Sequence, residues 1–238
     1  MKKIALALAL LSVSFAQAQI WKKQIKESGI QTSVTKTTTS YDKISVSGSF
    51  KVELVAGKEG NITIKGDENI ISHIEAEVKN NTLNIHLKKN KTYSYTSDII
   101  ITVPFEKISA LIYIGSGELK TINTINTTDL EVKFLGSGKV DLDINTENLT
   151  IDLTGSRVLN ISGKTKELNG KLIGSGTLNL SNLTTQNAKI NLTGSGNIKV
   201  DCTNSLIAKV IGSGLIEYKK NPKVTEKSII GSGDISEY

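Results

Sequence analysis

Apolar and polar residues alternate with a period of two along most of the chain, and Gly-Ser-Gly breaks the alternation at intervals. Before the triplet stand "LEVKF" (Leu130, Val132, Phe134), "LTIDL" (Leu149, Ile151, Leu153) and "AKINL" (Ala188, Ile190, Leu192). After it stand "KVDLDI" (Val140, Leu142, Ile144), "TLNL" (Leu178, Leu180) and "NIKV" (Ile198, Val200). A period of two with one apolar side predicts short strands that face a core on one side and water on the other. Turn formers such as "NTEN" at 145–148 and "SNLTTQN" at 181–187 fill the gaps.

The triplet starts at Gly115, Gly136, Gly174, Gly194, Gly212 and Gly231, and a Gly-Ser-Arg variant starts at Gly155. Successive starts lie 21, 19, 19, 20, 18 and 19 residues apart. One repeat then reads as one coil: strand, glycine corner, strand, polar turn. A lone coil cannot bury its apolar face, whereas stacked coils share a continuous core. The prediction is an all-β fold, a β-solenoid of about 19-residue coils. No six-residue apolar rhythm is present, which favours a right-handed or flattened two-sheet coil over the left-handed hexapeptide kind. At about 4.8 Å per coil, the intervals from Gly115 to Gly231 make a rod roughly 29 Å long.

Stacking also accounts for the glycines. A sharp corner calls for positive φ, and coils above and below leave little room for a β-carbon. The expected structural corners are Gly115 with Gly117, Gly136 with Gly138, Gly155 alone, Gly174 with Gly176, Gly194 with Gly196, Gly212 with Gly214, and Gly231 with Gly233. The serines between them (Ser116, Ser137, Ser156, Ser175, Ser195, Ser213, Ser232) should form a ladder. A phosphate-binding loop is excluded at "KFLGSGKV", because Lys133 stands where such a loop needs its first glycine and Val140 where it needs a hydroxyl. A nucleophilic serine is excluded too: the copies are equivalent, and no histidine occurs in the repeats to act as base.

Residues 41–110 are strand-rich but less regular, with a corner at Gly48 and a hairpin turn at Asn80-Asn81. Here "YDKISVSGSFKVELVAG", "ITIKGDENIISHIEAEVKNNTLNIHL" and "IIITVPFEKISAL", followed by the glycine corners, resemble the auto-transporter adhesin, head GIN domain family of bacterial envelopes. The resemblance covers residues 41 to 238. It implies a β-helical domain outside the cytoplasm, a role in adhesion, and no catalytic residues to carry over. Arg157 departs from the corner pattern and puts the geometry of that one coil in question. A membrane barrel would need many ten-residue strands, for which there is no room after Gly231, so other machinery would have to hold the chain at a surface.

Composition changes this picture at the start of the chain. "MKKIALALALLSVSFAQA" has Lys2 and Lys3, an apolar run from Ile4 to Phe15, and a small-x-small site at Ala16-Gln17-Ala18. These are the parts of a secretory signal peptide. Residues 1–18 are therefore read as signal, 19–40 as a linker and 41–238 as one domain, with the periplasm or the cell surface and outer membrane as expected locations. Without Lys2 and Lys3, 27 basic residues face 23 acidic ones, a mild excess spread along the chain of the sign that suits an anionic partner; no nucleic-acid partner is expected. The lysine groups at 22, 23 and 26, at 88, 89 and 91, and at 219, 220, 223 and 227 read as solvated faces. Cys202 continues the inward side of Ile198 and Val200 and should pack in the core.

Candidate chemistry is sparse. His86 alternates outward between Ile85 and Leu87, and His73 lies in an irregular stretch, so no metal site is expected. Asp141, Asp143 and Asp152 read as outward carboxylates on neighbouring coils, mixed with Lys133 and Lys139. In "NKTYSYTSD", Tyr93 and Tyr95 would share one strand face, either as a stacking pair for a glycan or protein or as a cover for the end of the core. The expected function is a non-enzymatic envelope binding module for glycan or protein. No cofactor and no transmembrane segment are expected, and self-association through the flat faces is open. A carbohydrate-active enzyme and a structural or regulatory periplasmic protein are the alternatives.

Overall fold

The computed structural model describes residues 24–219 and 222–238; the segment read as signal peptide lies outside them. The chain winds into a β-solenoid. Each coil contributes one strand before its glycine corner and one after it, and each strand pairs in parallel with its counterparts in the neighbouring coils. The ladder before the corner runs through Ala110–Gly115, Asp129–Gly136 and Asn148–Gly155. It continues through the later parts of Val158–Gly174, Thr177–Gly194 and Asn197–Gly212 and ends on Val224–Gly231. The ladder after the corner starts on Glu118–Thr121 and Lys139–Asn145 and ends on Leu215–Tyr218 and Asp234–Glu237. In the three long strands the chain bends at the polar turn without leaving β structure, although the register slips there, as between Leu180 and Thr184.

Register places like on like. Leu119, Val140, Leu159, Leu178, Ile198, Ile216 and Ile235 form one inward column, each 5% exposed or less. Burying a side chain of this size contributes roughly 1.5–3 kcal/mol, which is why the period-two pattern selects this coil. At the corner, glycine pairs with glycine from Gly115 to Gly231. Gly174 shows the reason: its φ is +120°, and a β-carbon there would stand 2.5 Å from the Gly155 carbonyl oxygen. That oxygen accepts the Ser175 amide at 3.2 Å, so the carbonyl cannot swing aside without losing a bond.

The opposite corner uses a different residue. Thr146, Thr165 and Thr185 are buried there. Each hydroxyl donates to a carbonyl of the preceding coil (Thr128, Glu147 and Lys166) and is also within bonding distance of the carbonyl two residues ahead. Cys202 occupies the same place in the next coil, fully buried, its Sγ 3.1 Å from the Gln186 oxygen and 3.0 Å from that of Ser205.

The first coil is not the one at Gly115 but Lys43–Ser47, the corner at Gly48, and Lys51–Ala56. The chain then leaves the stack to build a cap beneath it. Thr82–Leu87 pairs in parallel with Lys43–Ser47 and Ile100–Phe105 with Lys51–Ala56. Ile74–Lys79 folds back on Thr82–Leu87 through Asn80 and Asn81, whose φ values of 50° and 61° make the expected hairpin turn. Residues 24–40, expected as linker, carry strands instead: Gln31–Thr37 pairs antiparallel with Asn61–Asp67, and Gln24–Lys26 pairs with Thr92–Ser94.

Asp67 ties the cap together. One carboxylate oxygen accepts from the amides of Ser28 and Gly29 at 2.8 and 2.7 Å and from the Ser28 hydroxyl at 3.1 Å, and the other caps the single helical turn Glu68–Ile71 through the Asn69 amide. Burial disfavours its charge, but the hydrogen bonds from the Ser28 and Gly29 amides, the Ser28 hydroxyl and the Asn69 amide together hold its pKa below the ordinary 3.8. A folded value below the ordinary one means stability that is complete above the ordinary value and lost as pH falls from there through the folded one. Acidifying below pH 3.8 should therefore lower the melting temperature of the native chain more than that of Asp67→Asn, which starts lower; parallel acid slopes would remove Asp67 from this role.

The far end has no such cover among the described residues. Val224–Gly231 pairs on one side only and is exposed throughout. Its inward column position beside Ala208 holds Lys227, whose Nζ lies 4.7 Å from the Tyr218 ring centroid and donates to the Ile235 carbonyl at 3.2 Å. An inward charge on an edge strand resists the addition of another strand.

Candidate binding surface

Alternation that sends Phe134 inward sends Leu135 outward, directly before the corner glycine. In register with it along successive coils stand Ile114, Thr154, Ile173, Thr193, Ile211 and Ile230. Ile114, Leu135, Ile173, Ile211 and Ile230 are 46, 43, 37, 38 and 57% exposed. The result is a row of β-branched and aliphatic side chains along the rod beside the glycine ridge. On the ridge itself Ser137 Oγ donates to Ser116 Oγ at 3.1 Å, one rung of the expected serine ladder. Scattered apolar surface residues need no explanation, but an aligned row does.

A second outward row runs two residues back along the same strands: Ile112, Lys133, Asp152, Lys171, Asn191, Lys209 and Ser228. Lys133 pairs with Glu131 at 2.5 Å, and that bond raises its pKa. Lys171 and Lys209 form no ion pair among the described residues. In the next row back stands Lys189, also without one, in register with Ile207, which is 42% exposed.

The other ladder presents a different face. Asp141 is 2.8 Å from Lys139 and accepts from Asn160 at 2.7 Å; Asn179 in turn donates to Asn160 at 3.3 Å. Burial works against the Asp141 charge, while Lys139 and Asn160 hold its pKa below the ordinary carboxylate value. Lys120 pairs with Glu53 at 2.9 Å and Lys199 with Glu217 at 3.1 Å. This face satisfies its own charges across coils. Asp143 lies on it with Asp141, but Asp152 belongs to the other ladder, so the three carboxylates read together from sequence are divided between two faces.

The aromatic pair is placed differently from a surface platform. Tyr93 and Tyr95 are partly buried and pack against the core. The Tyr93 hydroxyl donates to the Lys88 carbonyl at 3.0 Å, and its ring meets His73 edge-on at 5.8 Å. Burial raises both tyrosine pKa values. His73 Nδ1 lies 2.9 Å from the Asn69 carbonyl oxygen, whereas His86 is 3.7 Å from Glu75. The histidines thus serve separate local contacts, and no group of three or more His, Cys, Asp or Glu among the described residues is placed to hold a metal ion.

Arg157 does not distort its corner: the φ of Gly155 is +119°, as at the other corners. Its side chain turns inward and is fully buried. It passes the coil of Gly136 to reach the one before, donating to the carbonyls of Gly117 at 3.0 Å and Gly115 at 2.5 Å, with its guanidinium 4.7 Å from the Tyr113 ring centroid. Tyr113 continues this interior chain by donating to the Phe50 carbonyl at 2.7 Å and accepting from the Phe50 amide at 3.1 Å. Phe50 and Arg157 occupy the place of the triplet's second glycine in their coils, and both fill the inner corner.

A family model described as "Putative auto-transporter adhesin, head GIN domain" matches residues 40–222. Three crystal structures superpose on the chain. A "putative adhesin" from Bacteroides fragilis gives a TM-score of 0.84 at 23% identity, covering 90% of this chain and all of its own. A "putative lipid binding protein" from Parabacteroides distasonis gives 0.76 at 26% identity, covering 91% and 100%. A "putative adhesin" from Parabacteroides merdae gives 0.74 at 19% identity, covering 90% and 99%. No curated protein matches the chain. No helix among the described residues is long and apolar enough to cross a membrane.

Proposed function

The chain belongs to the auto-transporter adhesin, head GIN domain family, and from that premise we propose that it is an exported, non-enzymatic binding module of the cell envelope, working in the periplasm or at the surface. Its contact surface is the outward face beside the glycine ridge. The observation that carries this reading is the apolar row kept in register from Ile114 to Ile230, because nothing inside the molecule requires it. A polar residue would serve the strand equally well there, as Thr154 and Thr193 do. The self-satisfied Asp141 face and the partly buried tyrosines leave less surface free for a partner. The signal-like start at Met1 to Ala18 supports export, and relatives described as adhesins and as a lipid-binding protein support a binding role.

Cell fractionation with surface proteolysis tests this. The expected result is a mature chain beginning at Gln19, absent from the cytoplasm. A full-length chain beginning at Met1 and confined to the cytoplasm would overturn the reading.

A further inference from the structure

We propose that the apolar row and the lysines beside it form a lipid-facing edge, with which the solenoid lies on an anionic phospholipid surface. The proposal rests on the envelope reading for access to a membrane, but vesicle binding by the purified protein does not depend on where the cell puts it, so the two can fail separately.

Geometry comes first. Parallel coils recur at about 4.8 Å, so Ile114, Leu135, Ile173, Ile211 and Ile230, with Thr154 and Thr193 between them, stand in one register row along the rod on the same outward face. The row is one residue wide and roughly 29 Å long, far short of the ~800 Å² that each partner gives to a stable protein interface. An interfacial element needs less: a strip of aliphatic side chains entering the headgroup boundary, flanked by basic residues. Lys171 and Lys209 stand in the adjacent row, which also holds Asp152, and Lys189 stands one row farther back, with Glu131 and Glu226 toward the two ends of that row; none of the three lysines has a carboxylate partner among the described residues. Their stems can lie along the apolar strip while the ammonium groups reach phosphates.

A second copy fits less well. Two antiparallel rods related by a two-fold axis at Ile173 would match the aliphatic rows, but would also set Lys171, which has no ion pair among the described residues, against its own copy. Like charges directly opposed disfavour such a contact, whereas a lipid surface supplies the missing anions.

The test is sedimentation of the mature protein with vesicles of phosphatidylcholine alone or with about one third phosphatidylglycerol. Binding is expected with the anionic vesicles and should weaken as salt is raised. Replacing Ile114, Leu135, Ile173, Ile211 and Ile230 together by Thr should reduce it at least ~10-fold with the circular-dichroism spectrum unchanged, since Thr154 and Thr193 already hold that row. A smaller variant, Lys171→Gln with Lys209→Gln, should reduce binding to the anionic vesicles roughly 30-fold, from about 1 kcal/mol per lysine. Three results would each overturn the proposal: binding to neither vesicle or equally to both, undiminished binding by the lysine variant, and light scattering that shows a dimer made monomeric by the threonine changes.

Discussion

Gly174→Val is expected to lower the stability of the folded chain by more than about 4 kcal/mol, or to prevent folding, because two faults coincide at one position. The backbone there has φ +120°, which a β-branched residue does not adopt without strain. Independently, a β-carbon would stand 2.5 Å from the Gly155 oxygen and 3.2 Å from its carbon, and these are backbone atoms that no rotamer change can move. Relief requires the two coils to part, which breaks the pairings of Gly155 with Gly174 and Gly174 with Gly194. Gly57→Ala is the control, since an added β-carbon meets nothing within 4 Å there and the backbone shows no positive φ. Urea denaturation should leave Gly57→Ala within about 0.5 kcal/mol of the native chain. A Gly174→Val transition at the same midpoint would show that the coils are not stacked as described.

Arg157→Gly should be destabilising by about 3 kcal/mol even though it restores the triplet that the other corners carry. Removing a large buried side chain leaves a cavity that the surrounding coils fill only in part. It also removes the donors that Gly117 and Gly115 meet and the contact with Tyr113. Arg157→Met separates the causes, because it keeps much of the volume while removing the charge; buried charges are often replaced by apolar groups at little cost. The order expected from denaturant midpoints is native, then Met, then Gly. If Arg157→Gly melts with or above the native chain, the arginine is a tolerated insertion and not part of the core.

The repeat was legible in the sequence for a physical reason: a coil that shares its core with like neighbours must repeat its inward pattern, and the column through Val140, Leu159, Leu178 and Ile198 does so. What stayed hidden depends on contacts between coils. Arg157 looked like a fault because its carbonyl partners lie about 40 residues earlier, at Gly115 and Gly117. The aliphatic row was present in the letters before each triplet, in antiphase with the buried alternation, but a reading that follows the buried side passes over Leu135 and Ile173. The role of Thr146, Thr165 and Thr185 resembled ordinary turn chemistry, and only their burial shows a second interior corner. The cap could not be read, because its parallel pairings join strands such as Lys43–Ser47 and Thr82–Leu87 that are distant in the chain and locally resemble hairpins. For Tyr93 and Tyr95 the alternation left two readings open, a surface pair or a cover for the core, and only the packing of both rings against the core separates them.

The placement of Lys43–Ala56 between the cap and the coil of Gly115 sets an order of events in the growing chain. On its cap side this coil pairs with Thr82–Leu87 and Ile100–Phe105, so in a chain made from its N-terminus that edge has no partner until about Phe105 has been made. From then on each new segment of about 19 residues finds a finished edge to zip against, with short loops to close at each step. The two ends of the stack thus differ: one edge is covered by strands that the chain supplies early, while at the other Val224–Gly231 is an exposed edge strand with Lys227 in its inward column.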